Sequence, residues 1–330
     1  MVGYNKEDKL TPHQKFLAGC VSGAVTKFVT QPLDVIKLRM QLEKPELSPP
    51  KESIFMYTRH ILRHEGMSGL WRGHGMGQVH SIIALSSQFY IYEETTRLAS
   101  NVEFKNKNRH AVNFVCGMIA GCGSSFLSVP LEVIRMHHII LKDPRYNTIL
   151  GGAKKIYKFG GISAFYEGFV GSCLQIGPAV GISFTIFNLV QPVIHNMTQT
   201  CGETCANLTS HEAARYVIIA SCGAGLVAGF ISKAATYPMD IVKRRMQMNA
   251  HASRLSDTKA LRNIRELIKC DSFFACMYKY YKQEGALSLY RGFRVTLYRA
   301  LLQTITSFTV YELTCFMFRE SLKKSETKSK

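Results

Sequence analysis

A six-residue phrase opening with proline occurs three times in this chain: Pro32-Leu33-Asp34-Val35-Ile36-Lys37, Pro130-Leu131-Glu132-Val133-Ile134-Arg135 and Pro238-Met239-Asp240-Ile241-Val242-Lys243. Each copy sets an acid two residues and a base five residues past the proline, inside an apolar stretch. A second element follows each copy, an aromatic residue, one intervening residue and a glycine: Trp71-Arg72-Gly73, Tyr166-Glu167-Gly168 and Tyr290-Arg291-Gly292. Two elements recurring in a fixed order divide the 330 residues into three units of about a hundred. The boundaries read as 1–104, 105–200 and 201–330. Whatever one unit folds into, the chain builds it three times.

Composition sets the medium. The chain is 46% hydrophobic and 19% charged, and polar-poor runs recur at roughly 14–40, 74–97, 110–138, 169–193, 213–245 and 293–318, two per unit. About 20 residues cross the hydrocarbon core. The expected fold is therefore an all-α membrane protein of six tilted transmembrane helices in three pseudo-symmetric repeats, forming one transport domain. Every run holds polar groups, as Lys27, Gln31, Asp34 and Lys37 do in the first, and these are costly against lipid, so they are expected to face an interior cavity. Glycines four apart, at Gly19 and Gly23, Gly117 and Gly121, and Gly225 and Gly229, predict close helix contacts. The segments 42–73, 140–168 and 247–292 are basic and amphipathic, which predicts surface helices on one membrane face. The positive-inside tendency turns that face inward and puts both termini opposite. The stretch 250–268 reads as an extra surface excursion of the third unit.

Several function classes fall away. The net charge of +18 is spread over connections and helices without a nucleic-acid-binding motif, so it suits anionic lipid and anionic solutes rather than nucleic acid. Ten cysteines form no CxxC pair, and free thiols are expected, with Cys201 and Cys205 the alternative pair in a connection. His74, His80, His137 and His138 have no metal-ligand spacing and no Ser/His/Asp arrangement emerges, so neither metal, cofactor nor enzyme activity is expected.

A proline inside a helix removes a backbone hydrogen bond and kinks it. Three kinked helices around an axis converge at one end, and there each acid can meet a neighbour's base in a closed ring of three ion pairs. Desolvation keeps the net gain of such a ring small, which is what a gate requires.

These elements resemble the signature of the mitochondrial carrier family, Pro-x-[Asp/Glu]-x-x-[Lys/Arg]-x-[Lys/Arg] followed by [Asp/Glu]-Gly-x-x-x-x-[aromatic]-[Lys/Arg]-Gly. The resemblance implies a multi-pass protein of the mitochondrial inner membrane with short matrix-side amphipathic helices and termini facing the intermembrane space. It implies a matrix gate pairing Asp34 with Arg135, Glu132 with Lys243 and Asp240 with Lys37, braced by Gln41 and Gln247, where the second repeat has Ile139. That repeat also departs at His137, Gly160 and Glu167, in place of a base, an acid and a base. The aromatic-x-Gly elements, through Trp71, Gly73, Gly168, Tyr290 and Gly292, are implied to contact cardiolipin. The opposite, cytoplasmic gate maps onto Tyr92-Glu93…Thr96, Phe187-Asn188…Gln191 and Tyr311-Glu312…Cys315. Two acids are kept and every base is lost, with Gln191 left to offer a hydrogen bond. An empty carrier open to the cytoplasm and closed at the matrix ring is therefore expected.

By the same resemblance, the central contact positions are Lys27, His80, Gln175 with Ile176, Lys233 and Arg299, with Gln303 nearby. Three bases without a matching acid imply an anionic, phosphorylated small molecule. The short markers Met1-Val2-Gly3-Tyr4, Phe114-Val115-Cys116-Gly117 and Tyr311-Glu312-Leu313-Thr314-Cys315-Phe316 resemble family members that carry thiamine pyrophosphate. They imply matrix uptake of that diphosphate in exchange for a nucleotide counter-substrate by alternating access. Adenine nucleotides, deoxynucleotides and coenzyme A also suit a basic cavity; an ion leak and a membrane scaffold are the other classes. A monomer suffices, since three repeats enclose one cavity.

Overall fold

The computed structural model describes residues 10–42, 54–100, 109–141, 148–182, 186, 189–190, 210–252 and 272–328. Among them every regular element is helical. Long helices α1 (Pro12–Leu42), α3 (His74–Ser100), α4 (Arg109–Leu141), α6 (169–182), α7 (Ser210–Ala252) and α9 (Phe293–Lys328) alternate with short ones, α2 (Ile54–Glu65), α5 (Ile149–Gly160) and α8 (Phe273–Glu284). A 3-10 turn follows each short helix, at Met67–Trp71, Ser163–Tyr166 and Ala286–Tyr290. Each unit thus reads long helix, short helix, turn, long helix.

The three prolines lie inside α1, α4 and α7, which continue past them. Proline has no N–H, so the carbonyl four residues earlier loses its partner. In the first unit that carbonyl is Phe28's, and the Trp71 indole donates to it at 3.1 Å. An aromatic of the second repeated element thereby mends the defect made by the first. In the second unit Tyr166 stacks on the Phe126 ring instead, with centroids 4.9 Å apart.

Long helices pack along stripes of small residues in phase with the prolines. Ala18, Ser22, Thr26 and Thr30 are buried on α1, Cys116, Ala120, Ser124 and Ser128 on α4, and Ala228, Ser232 and Thr236 on α7. Each stripe repeats every four residues, one face of a helix. Small side chains let backbones approach until hydroxyls reach a neighbour's carbonyl: Ser22 donates to Ser307 on α9 at 2.6 Å, Ser124 to Ala84 on α3 at 2.8 Å, and Ser232 to Ala179 on α6 at 2.6 Å. The first helix packs on the last, α4 on α3 and α7 on α6, so the units close into a ring.

The glycines expected at these contacts stand one residue beside the stripes. A methyl group added at Gly19, Gly23, Gly117, Gly225 or Gly229 would meet nothing within 4 Å, and only Gly121 of the six faces a neighbour, Ile176. A different glycine set makes the repeated close contact. Gly73, Gly168 and Gly292 have φ of 72°, 79° and 80°, a left-handed backbone that admits glycine most readily. Each lies against the residue nine past the proline of the next unit in the ring: Ile139, Gln247 and Gln41 respectively. One contact made three times, the last returning to the first unit, is the pseudo-threefold arrangement expressed in atoms.

Of the described helices, one is long and apolar enough by composition to cross a membrane, Val112–Leu141. The others carry more charge; α1 alone holds Lys15, Lys27, Asp34, Lys37 and Arg39. The expectation of free thiols holds for Cys20, Cys116, Cys122, Cys173 and Cys315 but fails at buried Cys276, which is disulfide-bonded. Cys201 and Cys205 lie outside the described residues. The stretch expected as a surface excursion begins as helix, since α7 runs to Ala252; 253–268 is also outside them.

Candidate functional site

Where α1, α4 and α7 converge, their charges meet. Arg135 Nη2 donates to Asp34 at 3.1 Å, Lys243 Nζ to Glu132 at 2.9 Å, and Lys37 Nζ to Asp240 at 2.9 Å. Each acid takes a base from a different unit, closing a ring of three ion pairs. Gln247 donates to Glu132 at 3.3 Å. Gln41 instead donates to the Tyr237 hydroxyl at 3.0 Å.

In the first and third units the ring is held to the turns by the residue before the proline. The buried Gln31 amide donates to the Arg72 carbonyl at 2.9 Å and its oxygen accepts from Arg135 at 3.0 Å. Tyr237, at the corresponding place, donates to the Arg291 carbonyl at 2.9 Å, and Lys37 lies over its ring at 5.5 Å. The second unit has Val129 here, which cannot make either bond.

A second set of ion pairs lies farther along the same helices. Arg39 forms a two-pronged pair with Glu65 at 2.5 and 2.7 Å, and Arg245 one with Glu284 at 2.9 and 2.9 Å. Both arginines are among the most buried large side chains. These four residues occupy the second base and the acid of the repeated pattern, at which the second unit has His137 and Gly160. His137 is buried, its Nδ1 2.8 Å from the Val133 carbonyl, and Ile139, Ile140 and Ile156 pack into one apolar cluster there. The two departures of the second unit are thus one change: with no acid at 160, a base at 137 would be a buried charge without a partner.

Above the ring lies a cavity of about 200 Å3 lined by Lys27, Asp34, Lys37, Leu38, His80, Ser81, Glu132, Arg135, Met136, Arg244 and Arg299. Of the residues expected to bind a solute, Lys27, His80 and Arg299 line it. Lys27 and Arg299 both rest on Asp34, the former at 3.2 Å, so that one carboxylate gathers three bases. Neither pairs with Glu93 or Glu312. Lys233 is half-buried on α7 and is not among the lining residues. Gln175 and Gln303 are not among the lining residues, and Ile176 presses on Gly121. Phe28 and Phe126 pack on Trp71 and Tyr166.

At the other end the picture thins. Tyr92, Glu93 and Glu312 are exposed, and neither acid forms an ion pair among the described residues. Tyr311 packs with Cys315 against Leu10 and Ala18. Phe187, Asn188 and Gln191 lie outside the described residues. The elements expected to hold lipid divide: Trp71 and Gly73 border a second cavity of about 400 Å3 with Glu65, Arg72, His74 and His138, Tyr290 stacks over Tyr237, and Gly168 and Gly292 make the contacts described above. Sequence reasoning missed Tyr237 and Arg244 and placed Gln31 only among the polar groups facing the interior; for Gln31 and Tyr237, the signal was a polar residue immediately before a repeated proline.

The sequence profile of a family described as mitochondrial carrier protein matches residues 8–103, 106–198 and 215–322, one match for each unit. The chain belongs to the mitochondrial carrier family. Members of that family are transporters, so this carrier is a small-molecule transporter of the inner mitochondrial membrane and not an enzyme. Among the described residues no group of three or more His, Cys, Asp or Glu side chains is placed to hold a metal ion. The carrier is 31% identical to the mitochondrial thiamine pyrophosphate carrier of Macaca fascicularis and 30% identical to that of Homo sapiens, each over 96% of this chain and 97% of the relative. It is 29% identical to that of Bos taurus over 98% of this chain and 99% of the relative.

Proposed function

We propose that this carrier takes thiamine pyrophosphate into the matrix in exchange for a nucleotide, by alternating access through the cavity above the ring. The observation that carries the reading is an excess of bases on three carboxylates: Lys27, Arg299 and Arg244 join the three ring bases around Asp34, Glu132 and Asp240. An anion entering there is met by positive charge already gathered and partly stripped of water. A cavity of about 200 Å3 is smaller than the pockets that enclose whole drug-sized ligands, so it receives the diphosphate end, with the organic rings above it toward Gln175 and Gln303. The names of the relatives support the choice of thiamine pyrophosphate among phosphorylated anions.

In this reading the six long helices all cross the membrane in three units, 1–104, 105–200 and 201–330. The ring faces the matrix, both termini face the intermembrane space, and a monomer does the work. Polar faces of α1, α7 and α9 turn to the cavity, where their charges avoid lipid. Cardiolipin phosphates lie at the helix starts behind Gly73, Gly168 and Gly292, next to Trp71 and Tyr290, where free backbone N–H groups suit an anion. Phosphate groups draw Lys27 and Arg299 off Asp34, the ring loses part of its hold, and the cavity opens to the matrix.

Uptake into proteoliposomes checks this. Labelled thiamine pyrophosphate is expected to enter against internal nucleotide, with ATP, deoxynucleotides and coenzyme A as weaker competitors, and Lys233→Gln and Arg299→Gln are each expected to abolish exchange while the protein stays folded. Transport undiminished in both variants would remove the site; preference for coenzyme A or a nucleotide would reassign the solute.

A further inference from the structure

One charge at the closed end has no counterpart in the other units. Six residues past the three prolines stand Leu38, Met136 and Arg244, and all three line the cavity. Leu38 and Met136 are buried, so Arg244 is a lone guanidinium in an otherwise apolar layer. It lies one helical turn past Asp240 and reaches two acids while settling on neither. Its Nη1 is 3.8 Å from Glu132 and its Nε 3.6 Å from Asp240, against about 2.7–2.9 Å for a charge-assisted hydrogen bond. The Nε is buried and donates to no acceptor. Both acids meanwhile hold close partners, Lys243 and Lys37, each at 2.9 Å.

A residue serving only to tie α4 to α7 would sit tightly on one of the two carboxylates. Arg244 instead presents a planar fork, the shape that grips phosphate through two parallel hydrogen bonds, with its donors only loosely engaged. Lys27 and Arg299 approach the cavity from the α1 and α9 side, and Arg244 approaches from α7. A single phosphoryl group near Asp34 meets the first two; a second one, farther along the axis, meets the third.

We propose that Arg244 is a further substrate-binding residue, taking the terminal phosphoryl group of a diphosphate and so making the carrier select diphosphates over monophosphates. This rests on the reading that a phosphate ester enters this cavity. When α4 and α7 part, Glu132 and Asp240 separate and Arg244 cannot span both; the phosphate oxygens then replace the long contacts it gives up.

The test measures two quantities on the full-length carrier: the shift in thermal unfolding midpoint in detergent, and kcat/KM for uptake into proteoliposomes. The probes are thiamine pyrophosphate and thiamine monophosphate, with pyrophosphate and orthophosphate as controls lacking the rings. The wild type is expected to favour the diphosphates in both measurements. Arg244→Leu, which copies Leu38, is expected to lower the diphosphate-to-monophosphate ratio about tenfold, the loss of one charged hydrogen bond. Arg244→Lys keeps the charge without the fork and is expected to fall between; it decides the matter should Arg244→Leu fail to fold. A ratio unchanged in these variants, or an equal loss for both esters, would overturn the proposal and leave Arg244 a structural tie. A wild type that responds to neither ester overturns the transport reading and this inference with it, an outcome distinct from the first.

Discussion

The Arg39–Glu65 pair shows how a charge deep in this protein is tolerated. Arg39 is 1% exposed, and taking its guanidinium out of water is costly unless a carboxylate replaces the water on good geometry. Glu65 does so through two short bonds. The net value of the intact pair is small, yet removing one partner strands the other. Glu65→Gln alone is therefore expected to destabilise the carrier by about 3–5 kcal/mol, and Arg39→Leu by less, since Glu65 keeps Arg72 at 3.5 Å. The double variant is expected to be more stable than Glu65→Gln. Thermal unfolding of the two singles and the double, read as a double-mutant cycle, checks this; additive losses would mean the two groups do not depend on each other. The second unit already carries the outcome of such a paired change in His137 and Gly160. Each departure was legible in the sequence. That they are one event was not, because partners 23 residues apart in one unit become neighbours only after α4 and α5 have packed.

At the scale of helices, the long and short elements and their order were legible in the polar-poor runs and in the basic amphipathic segments between them. Sequence reasoning misplaced the packing face. Glycines four apart are a familiar sign of close helices, but the buried stripe is Ala18-Ser22-Thr26-Thr30, and Gly19 and Gly23 lie at its edge with open space beside them. A one-residue offset turns a helix by about 100°, and a pattern of mixed Ala, Ser, Thr and Cys is a weaker signal than Gly-xxx-Gly. Substitutions separate the two faces. Gly117→Ala meets no atom and is expected to be neutral or stabilising by up to about 1 kcal/mol, the helical cost of glycine. Gly168→Ala has to hold φ at 79° with its methyl 2.6 Å from Gln247 Cγ and is expected to cost upward of about 1–2 kcal/mol. Ser124→Leu is expected to force α3 from α4 and to cost more than either. Unfolding midpoints that ranked Gly117→Ala as the worst of the three would contradict the packing described.

For the whole molecule the decisive quantity is the difference between its two ends. The ring has three interlocked ion pairs, a glutamine brace on Glu132 and surplus bases on all three acids. The other end has exposed Glu93 and Glu312, neither of which forms an ion pair among the described residues. Alternating access is a two-state equilibrium, and a solute shifts it only by binding one state better than the other. With one end latched and the other held by packing such as Tyr311 on Cys315, the empty carrier is expected to rest with the ring closed. Ser81 lines the cavity, and a cysteine there reports which side is open when its labelling is compared with that of the parent chain. A membrane-impermeant thiol reagent on the cytoplasmic face of oriented proteoliposomes is expected to label Ser81→Cys several-fold faster than reagent on the matrix face. Thiamine pyrophosphate is expected to narrow that gap by populating the matrix-open state, and Glu132→Gln to narrow it without solute, because Lys243 and Arg244 then lose a shared anchor. Fast matrix-side labelling of the empty carrier would show that packing at the cytoplasmic end outweighs the ring, and that counting ion pairs at each gate fails to give the resting state.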